Sequence, residues 1–289
     1  MKKEPTKAEY AVTESGELLA FLAAALPQKL RSNAKALLKY RAVLVDGAVV
    51  TQYNHKLRRG QTVTILPQGQ GGELDGIIYE DDEIIVLNKP EGLLSIATER
   101  DKQNTAYHQL TEYVKRRDPR NRIFVVHRLD RDTSGVLIAA KTEKMKLLLQ
   151  DNWAELVKTR GYTAIAEGKL AEPTGTLRSW LRETQTHVVF ESATAGDGLE
   201  AITEYRVTRE SAAYSMLDIR LQTGRKNQIR VQLRGLGHPV VGDKKYGAAT
   251  NPMHRLGLHA HLLELEHPVT RKLMSFSAGI PAAFTRLFK

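Results

Sequence analysis

His127-Arg128-Leu129-Asp130-Arg131-Asp132-Thr133-Ser134-Gly135 lies between two apolar runs, Ile123-Phe124-Val125-Val126 before it and Val136-Leu137-Ile138-Ala139-Ala140 after it. Nine mostly polar residues between strand-like runs read as a loop held by a sheet, where folds commonly display reactive groups. Asp130 is flanked by Arg128 and Arg131. Adjacent cations keep a carboxylate ionised, which suits a nucleophile or a base. The charge pattern taken alone favours a plainer reading, an Asx-type turn with a surface ion pair.

The full string separates the two. It resembles the signature of the RluA-type RNA pseudouridine synthases, in which the Asp of His-Arg-Leu-Asp is the catalytic residue, and the match continues through Asp-Thr-Ser-Gly. Further segments resemble the same family. Asn88-Lys89-Pro90-Glu91-Gly92-Leu93-Leu94-Ser95 is similar to its opening motif, which is mainly structural. Lys158-Thr159-Arg160-Gly161-Tyr162-Thr163-Ala164-Ile165-Ala166 reads as a strand; its Tyr162, by composition a packing aromatic, matches the tyrosine that contacts the target base. Leu221-Gln222-Thr223-Gly224-Arg225-Lys226-Asn227-Gln228-Ile229-Arg230-Val231-Gln232-Leu233 resembles the third motif, and the resemblance implies that Arg225 pairs with Asp130. The family usually has His where this chain has Asn227 and Gln232. Gly237 to Asp243 and Leu258-His259-Ala260-His261 match its closing segments.

Composition bounds the partners. The 289 residues carry a formal charge of +10, with 42% hydrophobic residues and no cysteine. Such a basic chain suits a polyanion, either nucleic acid or an anionic membrane surface. The apolar run Leu18 to Leu26 is far shorter than the roughly 20 residues needed to span a bilayer, and Glu4, Glu9, Glu14 and Glu17 precede or enter it. No membrane association and no cleavable leader are expected, and the chain reads as a cytoplasmic monomer. Without cysteine there is neither a disulfide nor a thiolate metal site. His254, His259 and His261 lack a carboxylate ligand at motif spacing, so no metal is expected. No phosphate-binding glycine loop occurs, and no cofactor is implied.

Toward the N-terminus, residues 1 to about 12 are polar and expected to fray. Ser15 to Leu26 has the spacing of an amphipathic helix stopped by Pro27, and a second helix is expected from about Ser32. Val43-Leu44-Val45-Asp46-Gly47-Ala48-Val49-Val50 signals a hairpin, and Gly60 to Leu66 a closing strand. Lys29, Arg31, Lys35, Lys39, Arg41, Lys56, Arg58 and Arg59 face only Asp46 within this stretch, which makes a phosphate-tracking surface. Residues 13–66 resemble the alpha-L RNA-binding module, with Asp46 where Asn is more usual. The glycine- and glutamine-rich stretch 67–76 reads as a linker, and 77–289 as the catalytic domain.

Ile77 to Pro90 reads as a hairpin, Thr105 to Arg117 and Thr142 to Leu156 as helices, and the runs between 186 and 222 as antiparallel strands. The resemblance implies an α+β catalytic domain built on a large mixed, mainly antiparallel sheet, preceded by the small α/β module. It implies conversion of uridine to pseudouridine in RNA: the bond from C1′ to N1 breaks, the base rotates, and C1′ joins C5. By that resemblance Asp130 attacks C1′ or takes a proton from C2′, Arg225 keeps it ionised, Tyr162 stacks on the flipped base and helps remove the C5 proton, and Arg128 fills the vacated stack. Large-subunit ribosomal RNA is the expected substrate and transfer RNA the alternative. A catalytically silent RNA-binding or ribosome-assembly protein, and a carboxylate hydrolase that releases uracil, are the competing readings.

Overall fold

Short apolar strands separated by polar turns between residues 77 and 277 close into one eleven-stranded sheet in the computed structural model, which describes residues 8–26, 34–39, 42–65, 74, 76–98 and 104–288. Two units divide the chain: Met1–Asp75 with Lys115–Pro119, and Gly76–Val114 with Arg120–Lys289.

In the first unit the four-stranded sheet runs in the order Ala8–Ala11, Thr62–Ile65, Val43–Val45, Ala48–Val49. Asp46 and Gly47 occupy the hairpin turn with φ of 50° and 82°, the left-handed pair that matches the twist of the flanking strands. The Asp46 carboxylate accepts the Thr62 backbone N–H at 2.8 Å and Gln61 Nε2 at 2.8 Å, so an acid performs the local bridging expected of an amide. The helix Leu18–Ala25 buries Leu18 and Leu22, one turn apart, and Leu26 is already extended at φ −78° and ψ 145°, as a residue before proline must be. The helix Ala34–Lys39 follows; Ser32 lies outside the described residues. The expectation that residues 1 to about 12 fray is corrected for Ala8–Ala11, residues 1–7 lying outside the described residues. Ala8–Ala11 pairs antiparallel with Thr62–Ile65, because Ala8 and Tyr10 alternate onto the core and supply an apolar face that the polar composition concealed.

The second unit's sheet has the order Val189–Glu191, Thr174–Glu183, Leu199–Glu210, Tyr214–Leu221, Val157–Glu167, Leu258–Glu266, Ser134–Ala140, Ile84–Lys89, Ile77–Glu80. Leu273–Ser277 pairs beside 258–266, and Phe124–Val125 beside 134–140. All pairings of its described strands are antiparallel except one, where Ser134 and Gly135 run parallel to His259 and Ala260. Gly135 has φ of 116°, and a Cβ there would collide with the Ala260 carbonyl oxygen; only glycine lets the two strands meet.

Helices cover this sheet. Thr142 caps the helix Glu143–Asp151 by accepting the Met145 N–H. The single helix expected over 142–156 breaks at Asn152, and the short helix Trp153–Leu156 leads into the strand beginning at Val157. The strand Thr174–Glu183 went unread in the sequence because its outward positions, Thr174, Thr176, Arg178 and Arg182, are exposed and polar. Helix Gln228–Gly235 packs Ile229 and Leu233 against Ala164, Leu217, Ile219 and Leu258 of the sheet. Among the described residues no helix is long and apolar enough to cross a membrane.

Candidate active site

Three anchors hold the 127–135 loop. Ser95 Oγ accepts the Leu129 N–H at 3.0 Å and donates to the Leu129 carbonyl at 2.7 Å. Lys89, fully buried, donates from Nζ to the carbonyls of Pro90 (3.0 Å), Leu93 (2.8 Å) and Arg131 (3.0 Å). Burial lowers its ammonium to about 8, while Asp132 and Asp130 oppose that shift. Ser134 Oγ, 2.8 Å from His259 Nδ1, accepts from Arg255 Nη2 at 2.6 Å. Between these anchors the side chains of Arg128 and Asp130 project into a cavity of about 300 Å³ lined also by His127, Tyr162, Arg225 and Arg230.

Asp130 keeps 29% of its side chain accessible and accepts from Arg230 Nη1 at 3.2 Å. The expected pairing with Arg225 is corrected here. Asn227 takes a left-handed φ of 55° and starts the helix, so Arg230 lies on the first helical turn facing the loop, whereas Arg225 precedes the turn and donates from Nε to the Glu200 carbonyl at 2.9 Å. The flanking arginines do not pair with Asp130 either: Arg131 turns to Asp132 at 3.0 Å, where both are exposed.

Arg230 is itself fixed. Its Nε and Nη2 form a fork on the buried Asp243 carboxylate at 2.6 and 2.8 Å, and Nη1 also donates to Asn227 Oδ1 at 3.1 Å. Burial alone would lower this guanidinium; Asp243 and Asp130 outweigh it and hold it above its ordinary value. The two departures from the family pattern resolve in these contacts. Asn227 Nδ2 donates to Tyr246 Oη at 2.8 Å while its Oδ1 supports Arg230. Gln232 is buried, accepts from Thr203 Oγ1 at 2.6 Å and donates to Ser179 Oγ and the Ala201 carbonyl at 3.0 Å each, pinning the helix to the sheet.

Tyr162, half-buried on the central strand, faces the same cavity, and burial pushes its hydroxyl up to about 12, so it is a neutral phenol at neutral pH. His127 Nε2 accepts the Ile138 N–H at 3.1 Å, and Trp153 lies over its ring at 5.0 Å. Burial, with the Arg160 charge, lowers this imidazole to about 4. Arg230, Asp243, Trp153 and Arg160 were not singled out from the sequence. The signal for Arg230 was present in its place three residues past Asn227, at helical spacing.

Of the basic residues expected to track RNA, Arg58 and Arg59 are exposed on the first unit, and Lys35 and Lys39 lie in the helix Ala34–Lys39. Lys29, Arg31 and Arg41 fall outside the described residues. Lys56 is met by Glu17 at 2.9 Å. His259 and His261 do not present one ligand face: the strand bulges at His261, whose Nδ1 meets Thr163 Oγ1 at 3.1 Å. No metal-ligating group of three or more occurs among the described residues.

This arrangement sets an accessible carboxylate against a fixed guanidinium, beside a tyrosine, in a space sized for a nucleobase. Residues 83–234 match the family model described as RNA pseudouridylate synthase. The chain is 33% identical over 233 residues to an uncharacterised RNA pseudouridine synthase of Bacillus subtilis, covering 80% of this chain and 76% of that protein. It is 30% identical to the ribosomal large subunit pseudouridine synthase D of Pasteurella multocida, covering 97% and 93%, and 31% identical to that of Escherichia coli, covering 93% and 88%. Among solved structures, the human RNA pseudouridylate synthase domain containing 4 shares the fold with a TM-score of 0.60 over 73% of this chain and 90% of that one, at 23% identity. The chain belongs to the RNA pseudouridylate synthase family and is an RNA pseudouridine synthase.

Proposed function

We propose that Asp130 is the catalytic carboxylate and that the substrate is a uridine of large-subunit ribosomal RNA. The Asp130–Arg230 contact at 3.2 Å carries the first part. A carboxylate that is partly open to solvent and opposed by a cation locked on Asp243 is aimed into the cavity, where cleavage at an anomeric carbon requires an acid side chain. The target uridine leaves the stack and enters the 300 Å³ cavity. Asp130 then attacks C1′, or takes the C2′ proton, as the bond to N1 breaks. The base rotates against the Tyr162 ring. As C5 bonds to C1′ the ester between Asp130 and C1′ breaks, or Asp130 returns the proton to C2′ on the other route. The C5 proton leaves while N1 takes one up from solvent. Because the Tyr162 hydroxyl is already protonated, it serves by relay, accepting a proton only as it gives one up. Arg128, exposed at the mouth, contacts the backbone and fills the stack.

The names of the Pasteurella multocida and Escherichia coli relatives, which cover nearly the whole chain, support ribosomal RNA as the substrate. On this reading residues 13–66 act as an RNA-binding module that selects the site, the stretch 67–76 links, residues 77–289 catalyse, and the work is done in the cytoplasm by a monomer. Mapping pseudouridine in total RNA from cells with and without the protein tests the substrate. Loss of one or more large-subunit pseudouridines is expected; losses confined to transfer RNA would replace the substrate and leave the chemistry standing.

A further inference from the structure

A second cavity, of about 630 Å³, opens beside the one that holds Asp130. The two walls have Trp153, Arg160, Leu221, Gly224 and Arg225 in common, so the spaces adjoin. Small-molecule sites span roughly 300–1,000 Å³, and the second space is large enough for a whole nucleotide. Nothing in the reaction at Asp130 uses it.

Its charges are unequal. Lys158 lies 3.8 Å from Glu266 and Arg220 3.8 Å from Asp218, and Glu204 of the same wall accepts from Gln222 Nε2. Arg160 and Arg225 have no carboxylate within ion-pair distance among the described residues. Arg160 Nη2 donates to the carbonyls of Leu221 (3.1 Å) and Gln222 (2.6 Å), and Arg225 Nε to that of Glu200 (2.9 Å). Each guanidinium has five N–H donors, so each retains several for a further acceptor. Burial lowers Arg160 from its ordinary value and the nearby Arg225 charge lowers it further, a repulsion that a bound anion would relieve. Gly224 keeps the approach open, since a Cβ there would meet Arg160 Nη1 at 2.5 Å. Trp153, half-buried and backed by His127, supplies an aromatic surface to the same wall.

We infer that this cavity receives the nucleotide next to the target uridine in the RNA chain, its phosphate between Arg160 and Arg225 and its base against Trp153. The inference rests on assigning the Asp130 cavity to the target uridine. Two spaces that share a wall bearing two unneutralised guanidiniums match two consecutive nucleotides joined by one phosphate. The site therefore reads a neighbour by stacking, which tolerates sequence, and by charge, which fixes register.

The test uses the full chain and two hairpin RNAs cut from the mapped target, with 2-aminopurine replacing the base on the 5′ side of the uridine in one and on the 3′ side in the other. One of the two is expected to lose emission on binding the wild type, and Trp153→Leu to restore at least half of it. Arg225→Gln should raise KM for the unlabelled hairpin about tenfold with a smaller change in kcat, the usual scale of a single base or phosphate contact. Trp153→Phe should stay near wild-type KM, separating the loss of a ring from a packing defect. Bright 2-aminopurine at both positions, or an unchanged KM for Arg225→Gln, would overturn the neighbour site while wild-type turnover leaves the uridine assignment intact. A wild type that forms no pseudouridine in this hairpin would overturn both.

Discussion

Arg230 Nη1 stands 3.2 Å from Asp130 Oδ2 although one hundred residues separate them in the chain. The cation is not recruited by the acid. It is seated first on Asp243, whose carboxylate is 1% exposed, and only its remaining nitrogen reaches the loop. Orientation of Asp130 is therefore inherited from a structural ion pair on the other side of the site.

Asp130→Asn keeps the shape of the side chain and removes the anionic oxygen that either route needs. The variant should fold and bind RNA near wild type, with no detectable tritium release from C5-labelled uridine. Asp132→Asn, which loses the exposed contact with Arg131 and a charge that favours the Lys89 ammonium, should remain active if it folds. Substantial release by folded Asp130→Asn would remove the carboxylate from the mechanism.

Arg230 tests the seat itself. Arg230→Met leaves Asp243 buried and unpaired, at a cost of about 3–5 kcal/mol in stability, readable as a lowered thermal midpoint. Arg230→Lys retains a charge and loses the fork, so it should fold and turn over about 10²-fold more slowly, the scale of a small misplacement of a reacting group. Wild-type turnover in the lysine variant would mean that charge alone suffices.

Tyr162→Phe retains the ring that meets the base. If the hydroxyl relays the C5 proton, kcat should fall by about 10²–10⁴-fold while RNA affinity is kept. Unchanged turnover would reduce Tyr162 to a stacking surface.

Acid should destabilise the fold through two histidines. Burial lowers both His127 and His259 to about 4, against about 6.5 in an unfolded chain. The unfolded state then binds more protons below about pH 6.5, so the stability held above that pH is lost as the pH falls toward 4. Between pH 7 and 5.5 ordinary carboxylates stay ionised, and the thermal midpoint should already decline. A flat midpoint across that window would show that neither ring resists protonation.

Arg58 and Arg59 are exposed and test the first unit. Arg58→Gln with Arg59→Gln should weaken binding to structured RNA and reduce the slope of log affinity against log salt by about 1–2, one unit for each lost phosphate contact. An identical slope would make that face merely solvated.

The loop at 127–135, the strand carrying Tyr162 and both hairpins at Asp46-Gly47 and Asp81-Asp82 were legible, because turn chemistry and β-branched runs are local signals. The choice between Arg225 and Arg230 was not. It depends on the left-handed Asn227 and on Asp243, thirteen residues beyond Arg230, and no local preference reports such a contact. By sequence spacing Trp153 is one apolar position of a continuous helix over 142–156. The break at Asn152 gives it instead to the wall of two cavities. Strand Ala8–Ala11 was hidden for a related reason, its partner being more than fifty residues away.

The parallel junction of Ser134 and Gly135 with His259 and Ala260 also sets when the enzyme comes into being. Asp130 sits just before one strand of that junction and Tyr162 on the strand across it, with Leu258–Glu266 between them. A polypeptide emerging from the ribosome carries its acid and its tyrosine long before the strand that brings them together has been made. On the proposed chemistry, activity therefore waits until residues 258–266 are in place.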